Sequence, residues 1–322
     1  MTAPVALCCG EPAGVGPELA AAAWSALRDS VPFFLIGDPA HVPEGTPMTT
    51  ITSPDEAIKA SAHALPVLPH IFPGDLTHGR PDPAHAQSVI DVIARGVDLV
   101  QSGAALALCT APIHKQALQD GAGFAYPGHT EYLAALADVP RVVMMLASDQ
   151  LRVVPTTIHI PLSDVPAALT PELLEDTIRI THAALIRDFA IAAPRLAIAG
   201  LNPHAGEGGK MGQEEINLID PVLSRLRDAG FDVIGPLSAD TLFHAAARQT
   251  YDAAICMYHD QALIPIKTLD FDRGVNVTLG LPFVRTSPDH GTALDIAGQG
   301  IANPTSLIEA LKMAQRMASC RS

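Results

Sequence analysis

Aromatic side chains are scarce in this chain: they make up 4% of its 322 residues, and tryptophan occurs once. Burial must therefore depend mainly on alanine, valine, leucine and isoleucine, which is typical of helices packed on a parallel sheet. With 48% hydrophobic residues, the chain has enough apolar material for large cores. Because single cores stop growing at about 250–300 residues, the length predicts two domains.

Basic residues are also scarce. The chain carries 20 lysines and arginines against 34 aspartates and glutamates, which gives a formal net charge of −14. A surface of that sign repels nucleic acid and anionic membranes, so we expect neither as a partner. A small anionic ligand would need a local pocket of positive charge within this acidic background.

Paired cysteines and long apolar runs are missing as well. The spacing of the five cysteines fits neither a zinc ribbon nor a CxxC redox motif. Free thiols of this kind are typical of a reducing compartment. No apolar run reaches the roughly 18 residues that a membrane helix needs, and the first residues hold no basic region followed by an apolar one. We therefore expect a cytoplasmic protein.

Apolar strand-like runs alternate with helix-like segments, which predicts an α/β layered fold. The stretch 41–83 is rich in Pro, Thr and Gly and predicts loops with at most short strands, and the stretch 274–289 predicts a sheet segment or arm. The predicted strands are residues 5–9, 33–36, 105–109, 142–146, 153–158, 195–199, 232–234 and 253–257. The predicted helices are residues 18–27, 84–101, 131–137, 171–189, 214–229 and 304–318.

Three histidines each follow one of the predicted strands: His159, His204 and His259. Because the carboxyl ends of parallel strands meet at one edge of a sheet, these side chains could converge there. Neutral imidazole is the commonest metal ligand, and three histidines leave coordination positions open for water or substrate. Each histidine taken alone could equally be a hydrogen-bonded polar residue. The spacing therefore leaves a divalent-metal site as one of two open interpretations.

Two glycine-rich segments could bind an anion. Residues 202–212 hold four glycines within seven residues together with Lys210, but Met211 stands where a Walker A loop needs Ser or Thr. Residues 10–18 connect the first strand to the first helix, although their spacing does not match GxGxxG. Both segments could also be simple connections whose glycines serve the backbone geometry.

Polar side chains at two further places could form a pocket for an anion. His129 and Thr130 precede a predicted helix, where they could donate to a phosphate or carboxylate, although Thr130 could simply cap the helix. Lys267, Asn276 and Arg285 lie in a polar stretch after His259. Arginine offers a two-pronged donor and lysine a point charge, so these residues suit an anion pocket beside a metal. Ordinary surface ion pairs are the alternative.

These blocks, taken together and in this order, resemble the 4-hydroxythreonine-4-phosphate dehydrogenases of vitamin B6 biosynthesis. The likeness covers nearly the whole chain and is weakest over residues 41–83. It rests on the blocks GEPAGVGPE (10–18), TAPIHK (110–115), YPGHTEYL (126–133), LNPHAGEGGKMGQEE (201–215), GPLSADTLF (235–243), MYHDQALIPIK (257–267) and RGVNVTLGLPFVRTSPDHGTALDIAG (273–298).

The resemblance implies a fold similar to the isocitrate and isopropylmalate dehydrogenases, with two α/β/α layered domains and an active cleft between them. The first domain would comprise residues 1–128 and 270–322, and the second residues 129–269. The second would carry the metal ligands and the interface of a homodimer with shared active sites. One of the three histidines at 159, 204 and 259 would then come from the partner subunit.

The resemblance also implies a reaction. The substrate would be 4-phosphooxy-L-threonine, a small phosphorylated amino acid, oxidised at its C3 hydroxyl by NAD or NADP and then decarboxylated to 3-amino-2-oxopropyl phosphate. His129, Thr130, Lys267, Asn276 and Arg285 would bind the substrate, and zinc, magnesium, cobalt or manganese would be the metal. No motif identifies the residues that bind the dinucleotide.

Lys267 is the candidate base for the hydroxyl proton. Asp240 is a second candidate, for orienting a metal ligand or handling a proton. Three other functions stay open. The first is a related dehydrogenase acting on D-threonate or D-erythronate 4-phosphate. The second is a metal-dependent phosphatase or lyase that never uses NAD, and the third is a non-catalytic phosphate-binding module.

Overall fold

The computed structural model describes residues 3–321, and its contacts divide the chain into two compact units. Unit 1 comprises Met1–Val142 and Leu281–Ser322, and unit 2 comprises Val143–Gly280. Residues 1, 2 and 322, which the predicted first domain includes, lie outside the described residues. The domain boundaries predicted after residues 128 and 269 differ from the bounds of these two units and stay a prediction.

Strands and helices alternate along the chain, so the predicted α/β class is confirmed. The strands are β1 (Val5–Cys8), β2 (Phe33–Gly37), β3 (Met48–Thr50), β4 (Leu65–Pro69), β5 (Leu108–Thr110), β6 (Val143–Ala147), β7 (Arg152–Pro155), β8 (Arg195–Ala199), β9 (Asp232–Leu237), β10 (Ala253–Cys256), β11 (Val275–Leu279) and β12 (Arg285–Pro288).

The helices range from single turns to five turns. They are α1 (Gly16–Leu27), α2 (Ala57–Ala60), α3 (Ala86–Gln101), α4 (Lys115–Ala122), α5 (His129–Leu136), α6 (Val165–Ala168), α7 (Pro171–Phe189), α8 (Asp220–Asp228), α9 (Ala239–Leu242), α10 (Ala245–Arg248), α11 (His259–Asp270) and α12 (Thr305–Cys320). Within residues 3–321, no helix is both long and apolar enough to cross a membrane.

Unit 1 is built on a parallel sheet in the order β3-β4-β2-β1-β5-β12. Leu108 and Cys109 are successive residues of β5 and therefore face opposite sides of this sheet. On the side of Leu108, Gly96 of α3 approaches so closely that a Cβ there would lie 2.7 Å from the Leu108 Cδ1. On the other side Thr286, the register partner of Cys109, donates a hydrogen bond to the Ala310 carbonyl of α12. The unit therefore has three layers.

The strand order of unit 1 reverses direction at β1. The chain passes from β1 to β2 on one side, and it later places β5 on the other side of β1. Ligands of open α/β sheets bind outside the carboxyl ends of strands at such a reversal. The segments there are tied together, because the Glu11 N–H donates to the Pro112 carbonyl at 2.9 Å.

Unit 2 has a mixed sheet in the order β11-β6-β7-β10-β8-β9. The pairs β11–β6 and β6–β7 are antiparallel, whereas β7, β10, β8 and β9 run parallel. A core on one face includes Val153, Ala254 and Cys256 of the strands and Ala262 and Ile266 of α11. Helix α7 contacts β6, β11 and α8. The three strands predicted to carry the histidines are thus neighbours in one parallel set.

Helix α7 forms where its local signals predict it. The Thr170 hydroxyl accepts a hydrogen bond from the Leu173 N–H at 3.1 Å, and Pro171 occupies the first turn. The helix ends at Ala190, whose φ of 55° is left-handed. These are the ordinary start and stop devices of an α-helix.

The short helices α2, α4, α6, α9 and α10 were not predicted, and two further segments also differ from the expectation. Helix α11 was not predicted, and it continues through Pro265 although proline usually ends a helix. The predicted helix 214–229 is divided: Glu215–Ile219 forms a π-helical turn, and the α-helix begins at Asp220. Single π turns occur often at functional sites. Both differences fall beside the histidine segments.

Candidate functional site

The three histidine segments leave the sheet of unit 2 at the carboxyl ends of β7, β10 and β8, which lie side by side. The Thr157 hydroxyl donates to the Met257 carbonyl at 2.7 Å and joins the first two segments. Gln261 joins the second and third segments. Its Oε1 accepts from the Met257 N–H at 2.7 Å, and its Nε2 donates to the Gly200 carbonyl at 2.8 Å. The predicted arrangement of strands is therefore present.

His159 and His259 come together. Their ring centroids are 5.5 Å apart, and both line a cavity of about 210 Å³ together with Tyr258 and Asp260. Two imidazoles on one tetrahedral metal, with metal–nitrogen distances of about 2.0–2.1 Å, have ring centroids about 5 Å apart. The Nδ1 of His259 lies 2.8 Å from Asp260 Oδ1, so its Nε2 is the nitrogen left for a metal. This histidine pair fits a divalent metal.

His204 does not join the pair within one chain. No group of three or more His, Cys, Asp or Glu side chains in residues 3–321 is arranged to hold a metal. His204 is exposed, and its ring makes no hydrogen bond within the described part of the chain. Asp240 interacts with it electrostatically, and the Asp240 pKa is lowered first by the hydrogen bond from the Ser238 hydroxyl (2.5 Å) and also by the nearby His204. Two of the three histidines therefore lie together in one chain, and the third lies apart from them.

The segment that carries His204 has an unusual backbone. All six residues 204–209 have positive φ, and three of them have side chains: His204 at 52°, Ala205 at 50° and Glu207 at 45°. A left-handed conformation costs an L-residue about 1–2 kcal/mol, and such residues normally occur singly. His159 also has a positive φ of 51°. Strain of this kind persists where the surroundings enforce it, often at functional sites.

Unit 1 contains a buried positive charge. Arg285 of β12 is 3% exposed, and its Nη2 donates to the Thr110 hydroxyl of β5 at 2.7 Å. Burial lowers the Arg285 pKa to about 10, and the nearby Cys109 and Cys8 thiols oppose this shift. Because a guanidinium forms strong charge-assisted hydrogen bonds with anions, this position suits an anionic ligand.

His129 begins helix α5 in the same unit. Its Nε2 is buried and has no hydrogen-bond partner among residues 3–321. Burial, with help from Arg285 and Lys115, holds the His129 pKa well below its usual value, so the ring is neutral. The helix is capped by Gly128, which has no side chain to accept from the first-turn N–H groups. Those donors, Thr130 among them, are therefore open to an anion.

Lys115 lies close to the same helix start. A Cβ built on Gly128 would lie 3.5 Å from the Lys115 Nζ and 3.4 Å from the Glu131 Oε2. We call the set Thr110, Lys115, His129 and Arg285 the anion pocket. Its side chains come from four different elements of unit 1.

The other predicted residues lie in unit 2. Asn276 is in β11, and its Oδ1 is buried without a hydrogen-bond partner in residues 3–321. Lys267 is half-buried in α11, and its Nζ lies 5.5 Å from the centroid of the Phe271 ring. Asp240 is exposed at the start of α9.

Three residues of these sites were not predicted from the sequence. Thr110 and Lys115 belong to the block TAPIHK, which signalled the family but gave no chemical reason to select either residue. Glu215 was assigned only to the start of a helix, yet it is 2% exposed and bonds to the His204 segment. Its partner is 13 residues away, so no local pattern could have identified it.

Comparison with known proteins agrees with this geometry. The family model described as "Pyridoxal phosphate biosynthetic protein PdxA" matches residues 30–314. The chain is 66% identical over 319 residues to the 4-hydroxythreonine-4-phosphate dehydrogenase of Roseobacter denitrificans, covering 99% of this chain and 98% of that protein. It is 64% identical over 317 residues to the enzyme of the same name from Ruegeria sp., covering 98% and 97%.

A solved structure has the same fold. The crystal structure of 4-hydroxythreonine-4-phosphate dehydrogenase from Klebsiella pneumoniae superposes with a TM-score of 0.90 at 35% identity, covering 98% of this chain and 99% of that one. The likeness therefore extends over both units and includes the connections that carry the polar residues.

Proposed function

Because the chain belongs to the pyridoxal phosphate biosynthetic protein PdxA family, we propose that it is a 4-hydroxythreonine-4-phosphate dehydrogenase. It oxidises 4-phosphooxy-L-threonine at the C3 hydroxyl, with NAD as hydride acceptor, and the product loses carbon dioxide to give 3-amino-2-oxopropyl phosphate. The observation that carries this proposal is the anion pocket, where a buried guanidinium and a buried, unpartnered imidazole nitrogen lie in one unit.

The substrate phosphate occupies the anion pocket. Arg285 supplies a fixed charge, which Thr110 orients through its hydrogen bond. His129 is neutral and therefore serves as a hydrogen-bond donor rather than as a charge. The first-turn N–H groups of α5 and the Thr130 hydroxyl complete the donor set. Binding energy gathered at this remote group positions C3 for hydride transfer.

His159 and His259 of one chain, with His204 of a second copy, would hold the divalent metal. This division is supported by the short separation of the first two rings and by the exposure of His204. When bound, a divalent metal would lower the pKa of the C3 hydroxyl and stabilise the enolate that decarboxylation leaves. The protein is therefore a homodimer with shared active sites in this proposal. Zinc, magnesium, cobalt and manganese are the candidate metals.

Three residues of unit 2 act on the substrate or the ligands. Lys267 accepts the hydroxyl proton, for which its side chain leaves the Phe271 ring by rotation about its flexible stem. Asn276 binds the substrate through its buried, unpartnered Oδ1. Asp240 orients His204, with which it interacts electrostatically.

The cellular setting and the cofactor follow from the same proposal. All five cysteines are free thiols, four of them buried, which supports a cytoplasmic location. NAD is the proposed cofactor and NADP the alternative, since no residue is assigned to the dinucleotide.

A turnover assay tests the proposal. Metal-stripped protein receives 4-phosphooxy-L-threonine and NAD, with zinc, magnesium, manganese or cobalt returned in turn. We expect NADH and carbon dioxide in equal amounts, and only when a metal is restored. Release of inorganic phosphate without NADH would instead identify a phosphatase or lyase. Faster turnover of D-threonate or D-erythronate 4-phosphate would identify the related dehydrogenase.

A further inference from the structure

The left-handed turn, residues 204–209, holds the longest run of positive φ values among the described residues. Its six consecutive positive φ values include three at side-chain-bearing residues, His204, Ala205 and Glu207. The turn is also exposed at His204 and Glu207. Contact with solvent does not hold a backbone in such a conformation. Buried residues on the inner side of the turn must therefore hold it there.

A buried carboxylate lies beneath the turn. Glu215 is 2% exposed, its Oε1 accepts from the Asn202 N–H at 2.8 Å, and its Oε2 accepts from the Asn202 Nδ2 at 2.9 Å. A Cβ added at Gly206 would lie 2.6 Å from the Glu215 Oε2, and one added at Gly200 would lie 3.1 Å from its Oε1. The carboxylate is therefore in close contact with two residues that precede the turn, Gly200 and Asn202, and with Gly206 within it.

The chemistry of this contact requires a carboxylate. Two donors of Asn202 point at two different oxygens, and a carboxylate accepts at both, whereas an amide accepts at one and donates at the other. Glu214 adds a second acceptor for the Asn202 Nδ2 at 2.6 Å, from a less buried position. A glutamine at 215 would thus direct an N–H group at one of the Asn202 donors.

This arrangement holds the His204 side chain at the surface of the chain. Its ring is exposed and makes no hydrogen bond within residues 3–321, although its backbone is held in a costly conformation. An imidazole fixed in this way is suited to bind something outside its own chain.

We propose that Glu215 is a positioning residue that acts through Asn202 and the left-handed turn to fix His204 for a divalent cation. The inference rests on the proposed function, because it takes His204 as a metal ligand. Residues that orient metal ligands typically change metal affinity by about 10–100-fold when they are substituted.

The test compares Glu215→Gln with Glu172→Gln, an exposed glutamate of the same unit that makes no contact with the turn. Two readouts need no turnover. The first is the rate of trypsin cleavage after Lys210 in metal-free protein, followed by mass spectrometry. The second is the equilibrium affinity for Co²⁺. In Glu215→Gln we expect cleavage about tenfold faster and Co²⁺ affinity about 10–100-fold weaker, with both unchanged in Glu172→Gln.

Strain relief provides a rescue. Glu207 has a φ of 45°, and glycine adopts that conformation without cost. Adding Glu207→Gly to Glu215→Gln should recover part of the lost Co²⁺ affinity, whereas a role of Glu215 in general packing predicts no recovery. If Glu215→Gln does not fold, Asn202→Ala is the alternative variant. It removes the hydrogen bond that the Asn202 Nδ2 donates to the Glu215 Oε2. It must then change both readouts in the same direction.

The outcomes separate this inference from the proposed function. Wild-type cleavage and Co²⁺ affinity in Glu215→Gln overturn the inference, even if the enzyme oxidises its substrate. Faster cleavage with unchanged Co²⁺ affinity also overturns it, because Glu215 is then merely structural. Weaker Co²⁺ binding with rescue supports it, even if 4-phosphooxy-L-threonine is not oxidised. A wild-type protein that binds no Co²⁺ overturns both.

Discussion

In unit 1, a single chain supplies all the side chains of the anion pocket, and the charge of Arg285 is buried there. In unit 2, one chain brings together two of the three histidines, and the third is exposed on a strained turn. The first region is complete as the chain folds, since each donor sits on a strand or a helix of the same unit. In the proposed dimer, the second region is completed by a histidine from another copy of the chain.

The two regions also differ in the kind of free-energy cost that their structures carry. In the anion pocket the cost is electrostatic, because burial opposes the charge of Arg285 and lowers its pKa to about 10. In the left-handed turn the cost is conformational and falls on the backbone of residues 204–209. In the proposed function, an anionic ligand offsets the first cost, and we propose that the Glu215 carboxylate offsets the second before any ligand binds.

The largest effect is expected from removing a metal ligand. His204→Ala should abolish metal binding at stoichiometric levels and lower turnover by at least about 1000-fold, because the metal would act on the reacting oxygen itself. His244→Ala is the matched control, since His244 is exposed in the same unit and only caps α10. Metal analysis and a turnover assay measure both variants. Full metal content and turnover in His204→Ala would exclude His204 as a ligand.

The next effect concerns the charge of the anion pocket. Arg285→Met should weaken the binding of inorganic phosphate about 100-fold or more, because the variant loses a buried, charge-assisted donor. Arg28→Met, at an exposed arginine of unit 1, should leave phosphate affinity unchanged. Isothermal titration calorimetry measures both. Equal phosphate affinity in wild type and Arg285→Met would remove Arg285 from the pocket.

A smaller effect is expected at the residue that orients the guanidinium. Thr110→Val keeps the shape of the side chain but removes the acceptor that lies 2.7 Å from the Arg285 Nη2. Because the charge remains, we expect KM for the phosphorylated substrate to rise about tenfold with kcat nearly constant. A loss confined to kcat would show that Thr110 acts elsewhere.

The smallest effect is a difference in acid sensitivity between the units. Burial lowers the pKa of His41, His70 and His129 in unit 1 and of His182 in unit 2. Since the unfolded chain then binds more protons, the stability these groups contribute is present above pH ~6.5 and is lost as the pH falls toward their folded pKa values. Hydrogen exchange between pH 8 and pH 5 should show unit 1 losing protection first. Equal loss in both units would contradict this.

Much of the framework could be predicted from the sequence. The runs before His159, His204 and His259 are strands, and those strands are parallel neighbours. Their apolar, β-branched composition is a local signal, and so are the caps of α7. The stretch 274–289 likewise contains two strands, as expected for a sheet segment.

The remaining features depend on contacts that local patterns do not encode. Arg285 and Thr110 are 175 residues apart, and their pairing exists only because β12 lies beside β5. Helix α11 continues through Pro265 because its apolar face packs into the core of unit 2, and packing there outweighs propensity. The division of the histidines into a pair and a separate residue is likewise a property of the folded chain.

Subunit complementation tests the shared metal site most directly. His204→Ala and His259→Ala are each expected to be inactive. In randomly mixed dimers, half of the dimers combine both variants, and one of their two sites then holds His159 and His259 from one chain and His204 from the other. Turnover should recover to about one quarter of the wild-type value. A mixture of His159→Ala and His259→Ala should stay inactive, because both ligands come from the same chain. No recovery in the first mixture, or recovery in the second, would contradict the account.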